Sequence, residues 1–189
     1  MSIIHRTTLR PTKTELLARW LPEQPWYQGA GTEEPVKAGG FRLDDPDGEV
    51  GMEFMAVTDT SGARPVTYHV PLVYRGAPLA DAPEGALVGT LVHGVLGERW
   101  VYDGARDPLL LAQLTALLKG EVPAHAQSTD GALDPSVRVR LDAGAAGRPE
   151  IVRVLEPGTS EPGAAGEVTA EWRSADGSLV RGVFVRVPA

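Results

Sequence analysis

Between residues 49 and 74 the apolar positions recur at every second residue. EVGMEFMAVTD (residues 49–59) and PVTYHVPLVY (65–74) read as antiparallel strands joined by SGAR (61–64), with Val66, Tyr68, Val70 and Leu72 on one face of the second. Pro65 and Pro71 predict that the second strand lies at a sheet edge or carries a bulge, because proline cannot donate to a ladder. ALVGTLVHGV and ERWVYDG follow as two further strands, short or kinked at their glycines. Four more alternating runs come later: SVRVRLDA (136–143), EIVRVLEP (150–157), EVTAEWRS (167–174) and SLVRGVFVRV (178–187). ADG (175–177) is a tight hairpin turn, and GTSEPGAAG (158–166) a flexible, exposed loop.

Two stretches carry the helical period instead. Thr12 and Glu15 form a capping-box pattern ahead of Leu16, Leu17, Trp20 and Leu21 on one helix face, and Pro22 stops that helix. Asp107 caps a second helix with Pro108 at its first position; Leu110, Leu111, Leu114, Leu117 and Leu118 make its stripe and Gly120 ends it. GAGTEEPVKAGG (29–40) reads as loop with at most an edge strand, and VPAHAQSTDGALDP (122–135) as polar linker. The pattern therefore predicts an α+β fold: an antiparallel sheet with two main helices over residues 1–120. Residues 121–189 follow as a small all-β extension or subdomain, continuous with the first sheet or packed against it.

Composition narrows the function classes. At 189 residues and 42% hydrophobic, the chain can bury a full core. The net charge of −7 is spread evenly, with 11 basic and 15 acidic side chains in residues 1–120 and 7 and 10 in residues 121–189. Neither half offers the basic field that binding nucleic acid or an anionic membrane requires. No cysteine is present, which removes disulfides and thiolate metal sites and fits a cytoplasmic protein. No apolar run reaches the roughly 20 residues of a membrane span, and MSIIHR is too short an apolar start for a signal peptide.

Most catalytic chemistry fails on inspection. There is no P-loop, and GAGTEE (29–34) has Glu34 where a dinucleotide-binding loop needs its third glycine. DDPDG (44–48) has Val50 and Ala56 at the two diagnostic positions of a calcium loop counted from Asp45, so it reads as a turn with solvated carboxylates. His5, His69, His93 and His125 show no metal-ligand spacing; His69 alternates with the apolar face of its strand and is expected to meet solvent, while His93 suits a core or a functional role equally. No nucleophile elbow or thiol nucleophile exists. No catalytic residue, cofactor-binding residue or metal ligand is assigned. Aromatic clusters remain, Trp20, Trp26 and Tyr27 beside the first helix and Trp100 and Tyr102 in GERWVYDG. They either plug the helix onto the sheet or contact a ligand or partner.

These motifs resemble a known family. WLPEQPWYQG (20–29) is similar to the opening of actinobacterial maltokinases, and TYHVPLVYRGAPL (67–79), GTLVHGVLGERWVYDG (89–104) and DPLLLAQLTALL (107–118) fall in the order of that family's N-terminal cap domain. The chain resembles standalone cap-like proteins often labelled glucan branching proteins. The resemblance implies a curved, cystatin-like antiparallel sheet, which in the family sits against a kinase lobe that phosphorylates maltose with ATP and magnesium. The kinase's catalytic histidine–aspartate motif and metal-binding aspartate have no counterpart in this sequence, and SLVRGVFVRV offers no ATP-binding lysine. A branching enzyme needs a barrel of roughly 250 residues or more. The expectation is therefore a cap without kinase activity and without a cofactor, binding a sugar kinase or another enzyme of α-glucan, maltose, glycogen or trehalose metabolism. Trp20, Trp26, Tyr27, Trp100, Tyr102 and Asp103 are its candidate ligand or partner contacts. The alternative is an oligosaccharide binder, or a cryptic enzyme, acting through Trp26, Tyr27 and Trp100.

Overall fold

Thr12 and Glu15 cap each other as the pattern predicts: the Glu15 amide donates to Thr12 Oγ1 at 3.1 Å, and the Thr12 amide to the Glu15 carboxylate at 2.7 Å. In the computed structural model, which describes residues 9–127, 131–158 and 163–189, this cap starts helix α1 (Lys13–Trp20), followed by a 3-10 turn at Leu21–Glu23. Asp107 starts α2 (Pro108–Leu118) by accepting from the Leu109 and Leu110 amides. The strands are β1 (Leu9–Arg10), β2 (Val36–Leu43), β3 (Gly51–Asp59), β4 (Val66–Arg75), β5 (Leu87–His93), β6 (Gly97–Asp103), β7 (His125–Ala126), β8 (Arg138–Leu141), β9 (Glu150–Ile151), β10 (Val154–Leu155), β11 (Ala164–Arg173) and β12 (Leu179–Pro188). All pair antiparallel in one sheet, and with two helices this is the predicted α+β class.

Following the ladders shows that part of the sheet closes on itself. β4 pairs with β3, β3 with β2, β2 with β11 through Gly39↔Trp172, and β11 with β12. Residues 150–155 complete the ring: Glu150 and Ile151 pair with β12, the Val152 amide donates to the Phe184 carbonyl, the His69 amide donates to the Arg153 carbonyl, and Val154 and Leu155 pair with β4. Inside lie Phe41, Phe54, Phe184 and Trp172, with the Phe41 and Phe54 rings stacked at 4.5 Å. Leu110, Leu114, Leu117 and Leu118 of α2 join the same core beside Leu43, Met52 and Val73 at one end, each contributing roughly 1.5–3 kcal/mol by burial.

A second core forms outside the ring. Leu16, Leu17, Trp20 and Leu21 cover Met55, Val57, Val66, Tyr68, Val70 and Leu72 on the other faces of β3 and β4, joined by Val88, Leu91 and Val101 of the β5–β6 hairpin. β4 is therefore buried on both faces, which corrects two expectations. It is an interior strand and not an edge: Pro71 sits where its second neighbour changes from β10, ending at Tyr68↔Val154, to β6, beginning at Leu72↔Asp103. His69 does not meet solvent but is 0% exposed inside the ring between Phe54 and Phe184.

Three other expectations shift. GAGTEEPVKAGG holds the first half of β2, an interior strand, because Gly39 admits the Trp172 backbone (a Cβ there would meet its Cα at 3.1 Å) and Gly40 turns the strand with φ 122°. The polar stretch 122–135 contains β7, paired with β2. Asp45 is no solvated carboxylate: it is buried and accepts from the Asp47, Glu49 and Val50 amides. The hairpin turn at 175–177 forms as expected, with Gly177 at φ 84°. Gly89 marks a register shift in β5. Of the loop expected over 158–166, residues 159–162 lie outside the described residues, as do His5 and residues 128–130 of the expected linker.

His69 ties the closing segment to the ring. Its Nδ1 faces two carbonyls, Val152 and Phe184, each at 3.1 Å, so Nδ1 carries the proton and donates, while Nε2 has no partner. Burial, and after it the Arg153 charge, push its pKa from 6.5 down to about 3. Between those values the unfolded chain binds a proton that the folded chain refuses, so His69's contribution is complete above pH 6.5 and falls as pH drops toward 3. The slope is at most about 1.4 kcal/mol per pH unit. Urea unfolding from pH 8 to pH 4.5 should show this decline, and a His69→Phe variant should be weaker at pH 8 by about 1–3 kcal/mol through the orphaned Val152 carbonyl yet flatter across that window.

Candidate functional site

The tryptophan-proline stretch after α1 folds back onto the sheet as a lattice of aromatic contacts. Trp20 is buried and donates from Nε1 to the Gly85 carbonyl at 3.2 Å. Its ring meets Trp26 edge-on at 5.9 Å; Trp26 meets Tyr68 of β4 at 5.7 Å, and Tyr27 meets Tyr68 at 5.4 Å. Gln24 Nε2 donates to the Trp20 carbonyl, and the Gln28 amide donates to Tyr68 Oη at 2.8 Å.

Tyr27 latches this stretch to the β3–β4 hairpin. Its hydroxyl donates to Asp59 and accepts from the Gly31 amide at 2.9 Å, while Ser61 Oγ accepts from the Ala30 and Gly31 amides. Burial raises the Tyr27 pKa, helped by the neighbouring Asp59. For Asp59 burial acts upward, but hydrogen bonds from Ser61 and Tyr27 outweigh it and hold the carboxyl below its ordinary value. Gly29 has a steric reason: a Cβ there would lie 2.3 Å from Tyr27 Oη and 2.5 Å from Asp59 Oδ2.

Asp103 reaches the same cluster through a residue that sequence reasoning did not single out. It pairs with Arg153 of the closing segment, and the Arg153 guanidinium lies 4.9 Å from the Trp26 ring centre. Trp100 and Tyr102 alternate with Val101, which faces the α1 core, and so belong to the opposite side of β6. Trp100 is half-buried opposite Arg75 and Thr90, and Tyr102 is buried with its hydroxyl accepting from the Leu79 amide at 2.9 Å. The structure thus gathers Trp20, Trp26, Tyr27 and Asp103, and leaves Trp100 and Tyr102 apart.

A second polar cluster was also missed. Glu53 is buried on β3 and takes Lys13, Tyr74 Oη at 2.8 Å, Gln127 Nε2 at 2.8 Å and Lys37 at 3.7 Å. Burial would raise its pKa, but the two ammoniums and the Lys13 and Tyr74 hydrogen bonds hold it below the usual value. Two of the three lysines in the chain converge here from positions 13 and 37, a grouping that only the fold assembles. Asp107, the α2 cap, also pairs with Arg75 at 2.6 Å. His93 organises the β5–β6 turn by accepting from the Val95 and Leu96 amides, and His125 lies 3.7 Å from Asp44. Among the described residues no three His, Asp or Glu side chains group as metal ligands, and no helix is long and apolar enough to cross a membrane.

An antiparallel sheet with its helix and aromatic plug locked by internal ion pairs defines a packing module of α+β class. Residues 20–107, just under half of the chain, match the family model for the maltokinase N-terminal cap domain, so this stretch is similar to that domain. No curated protein matches the chain. The matched region spans α1's last residue through β6 and the Asp107 cap, and so contains the Trp26, Tyr27, Asp59 and Asp103 contacts.

If Trp26 and Arg153 hold the matched region to the closing segment, their effects on stability must be coupled. A double-mutant cycle of Trp26→Ala and Arg153→Ala, read by urea unfolding, should give a coupling energy of about 0.5–2 kcal/mol. Additive losses would assign Trp26 to the α1 core alone.

Proposed function

We propose that the protein is a non-catalytic, cap-like accessory module that docks on an enzyme of α-glucan, maltose or trehalose metabolism, a sugar kinase being the partner its family points to. The observation that carries this reading is the cap-domain match over residues 20–107, which includes an apolar hairpin tip: Val92, Val95 and Leu96 are 56%, 61% and 47% exposed. Clustered apolar side chains on a soluble surface are what a partner covers. The signature aromatics favour the same reading, since Trp20, Trp26 and Tyr27 face inward and act as structure. The side chains that would contact a partner are then those of the tip, with Trp100 on the same hairpin.

The test is direct. The purified chain should transfer no phosphate from ATP to maltose, and from its source cell it should co-purify stoichiometrically with an identifiable sugar kinase or α-glucan enzyme. A Val95→Asp, Leu96→Asp variant should lose that complex by about tenfold or more in affinity with its thermal midpoint unchanged. Phosphotransfer by the chain alone, or a complex indifferent to the tip, overturns the reading.

A further inference from the structure

The outer face of β2 and β3 holds more positive charge than it neutralises. Glu53 is buried there; Lys13 and Lys37 both reach its carboxylate, and Arg42 stands beside it as its cross-strand neighbour. His125 pairs with Arg42 from β7 and faces Asp44 at 3.7 Å. With Asp44 counted and the His125 imidazole left out, three cations meet two carboxylates. The guanidinium of Arg42 adds to the imbalance, because among the described residues its buried Nε and Nη2 have no hydrogen-bond partner. Excess charge in a desolvated cluster costs free energy, which a group able to shed its proton relieves.

Of the three cations, Lys37 is the one placed to do so. An arginine keeps its proton throughout, and Lys13 is locked on Glu53 Oε2, which also takes the Tyr74 hydroxyl at 2.8 Å. Lys37 reaches the other oxygen only at 3.7 Å, shares it with Gln127 Nε2 at 2.8 Å, and has a side chain 44% exposed. Partial burial lowers its pKa from 10.5, and the Lys13 charge adds to that effect against the pull of Glu53. The neutral amine, which is the nucleophilic form, is therefore more populated at Lys37 than its exposure alone would give, and it is open to a reagent.

We propose that Lys37 is a modification site, acylated on Nζ by small anionic donors of the acyl phosphate class. The surplus positive charge of the cluster draws such a donor toward the amine. The amine attacks the acyl carbon: the N–C bond forms, the acyl C–O bond to phosphate breaks, and phosphate leaves with the electron pair and takes up the amine's proton. The amide that results is uncharged, which leaves Lys13 and Arg42 balanced against Glu53 and Asp44. The proposal stands apart from the partner-docking reading and uses none of the hairpin tip.

The chain has three lysines, so peptide mass spectrometry can follow each one separately. In the full-length chain treated with acetyl phosphate at pH 8, Lys37 should acetylate about tenfold faster than Lys119, which is exposed just past the end of α2. The Lys37 rate should level off below pH 10.5, and its preference over Lys119 should shrink with the neutral donor N-acetoxysuccinimide, which the cluster's charge does not attract. Lys37→Gln, which removes the surplus charge as acylation would, should leave the thermal midpoint unchanged or raise it. Acetylation of Lys37 no faster than that of Lys119, a rate still climbing beyond pH 10.5, or the same preference with both donors would each overturn the proposal. A Lys37→Gln midpoint lower by more than about 4 °C would do so too, by making Lys37 a counter-ion that Glu53 requires. The hairpin-tip variant should acetylate unchanged, so a failure here leaves the partner reading standing.

Discussion

Closing a sheet removes its edges, and here the closure rests on one short segment, residues 150–155. Its first residues extend β12 and its last extend β4, so the backbone changes partners at Val152 and Arg153. An abrupt change of partner leaves polar groups without a ladder, and three of the groups at this seam find a substitute. The Val152 carbonyl takes His69 Nδ1, the Val152 amide reaches the Phe184 carbonyl, and the Arg153 carbonyl takes the His69 amide. A histidine is therefore the side chain that lets a dry aromatic interior meet a broken ladder. Phenylalanine would match the packing but leave the Val152 carbonyl unpaired, and a charged side chain would be expelled.

The same seam joins the family-matched region to the rest of the chain. Phe41 and Phe54 of β2 and β3 lie within residues 20–107, but Phe184, Trp172 and Val168, which cover them, come from β11 and β12. On the outer face the link runs the other way, with Arg153 of the closing segment lying over Trp26 and paired with Asp103. Each part thus supplies surface that the other must bury, and the ion pair fixes their register where apolar contact alone would permit sliding. Breaking such a partly buried pair from one side leaves a charge with nowhere to go, so the register is specified more sharply than its net energy implies.

Local features were legible in the sequence because local chemistry writes them. Both helix caps, the 61–64 and 175–177 turns and the leucine stripe of α2 follow from residues within a few positions of each other. The motifs around WLPEQPWYQG also pointed to the cap domain. What period-two alternation could not convey is how many faces a strand buries. Val66, Tyr68, Val70 and Leu72 revealed one apolar face of β4, whereas His69 and Val73 on the other face looked polar or neutral and were equally buried. The Lys13–Glu53–Lys37 cluster and the Asp103–Arg153 pair join positions 16 to 50 residues apart, and no spacing rule finds such partners. Asp59 was closer to legible, since Asp-Thr-Ser-Gly is a turn sequence in which the Asp59 carboxylate takes the Ser61 amide.

Aromatic residues invite a binding interpretation because their faces are sticky, but stickiness is satisfied equally well from within. In this chain the conspicuous cluster is turned inward: Trp26 has Trp20, Tyr68 and Arg153 around it, and the Tyr27 hydroxyl has both a proton acceptor and a donor. A group whose partners are all internal gains little from an external one, since a ligand would have to displace bonds already made in a partly desolvated setting. The exposed apolar surface lies instead where the sequence looks ordinary. The β5–β6 tip is a few exposed aliphatic residues around a glycine. That tip keeps contact surface that the fold does not use, which the tryptophan-proline signature does not.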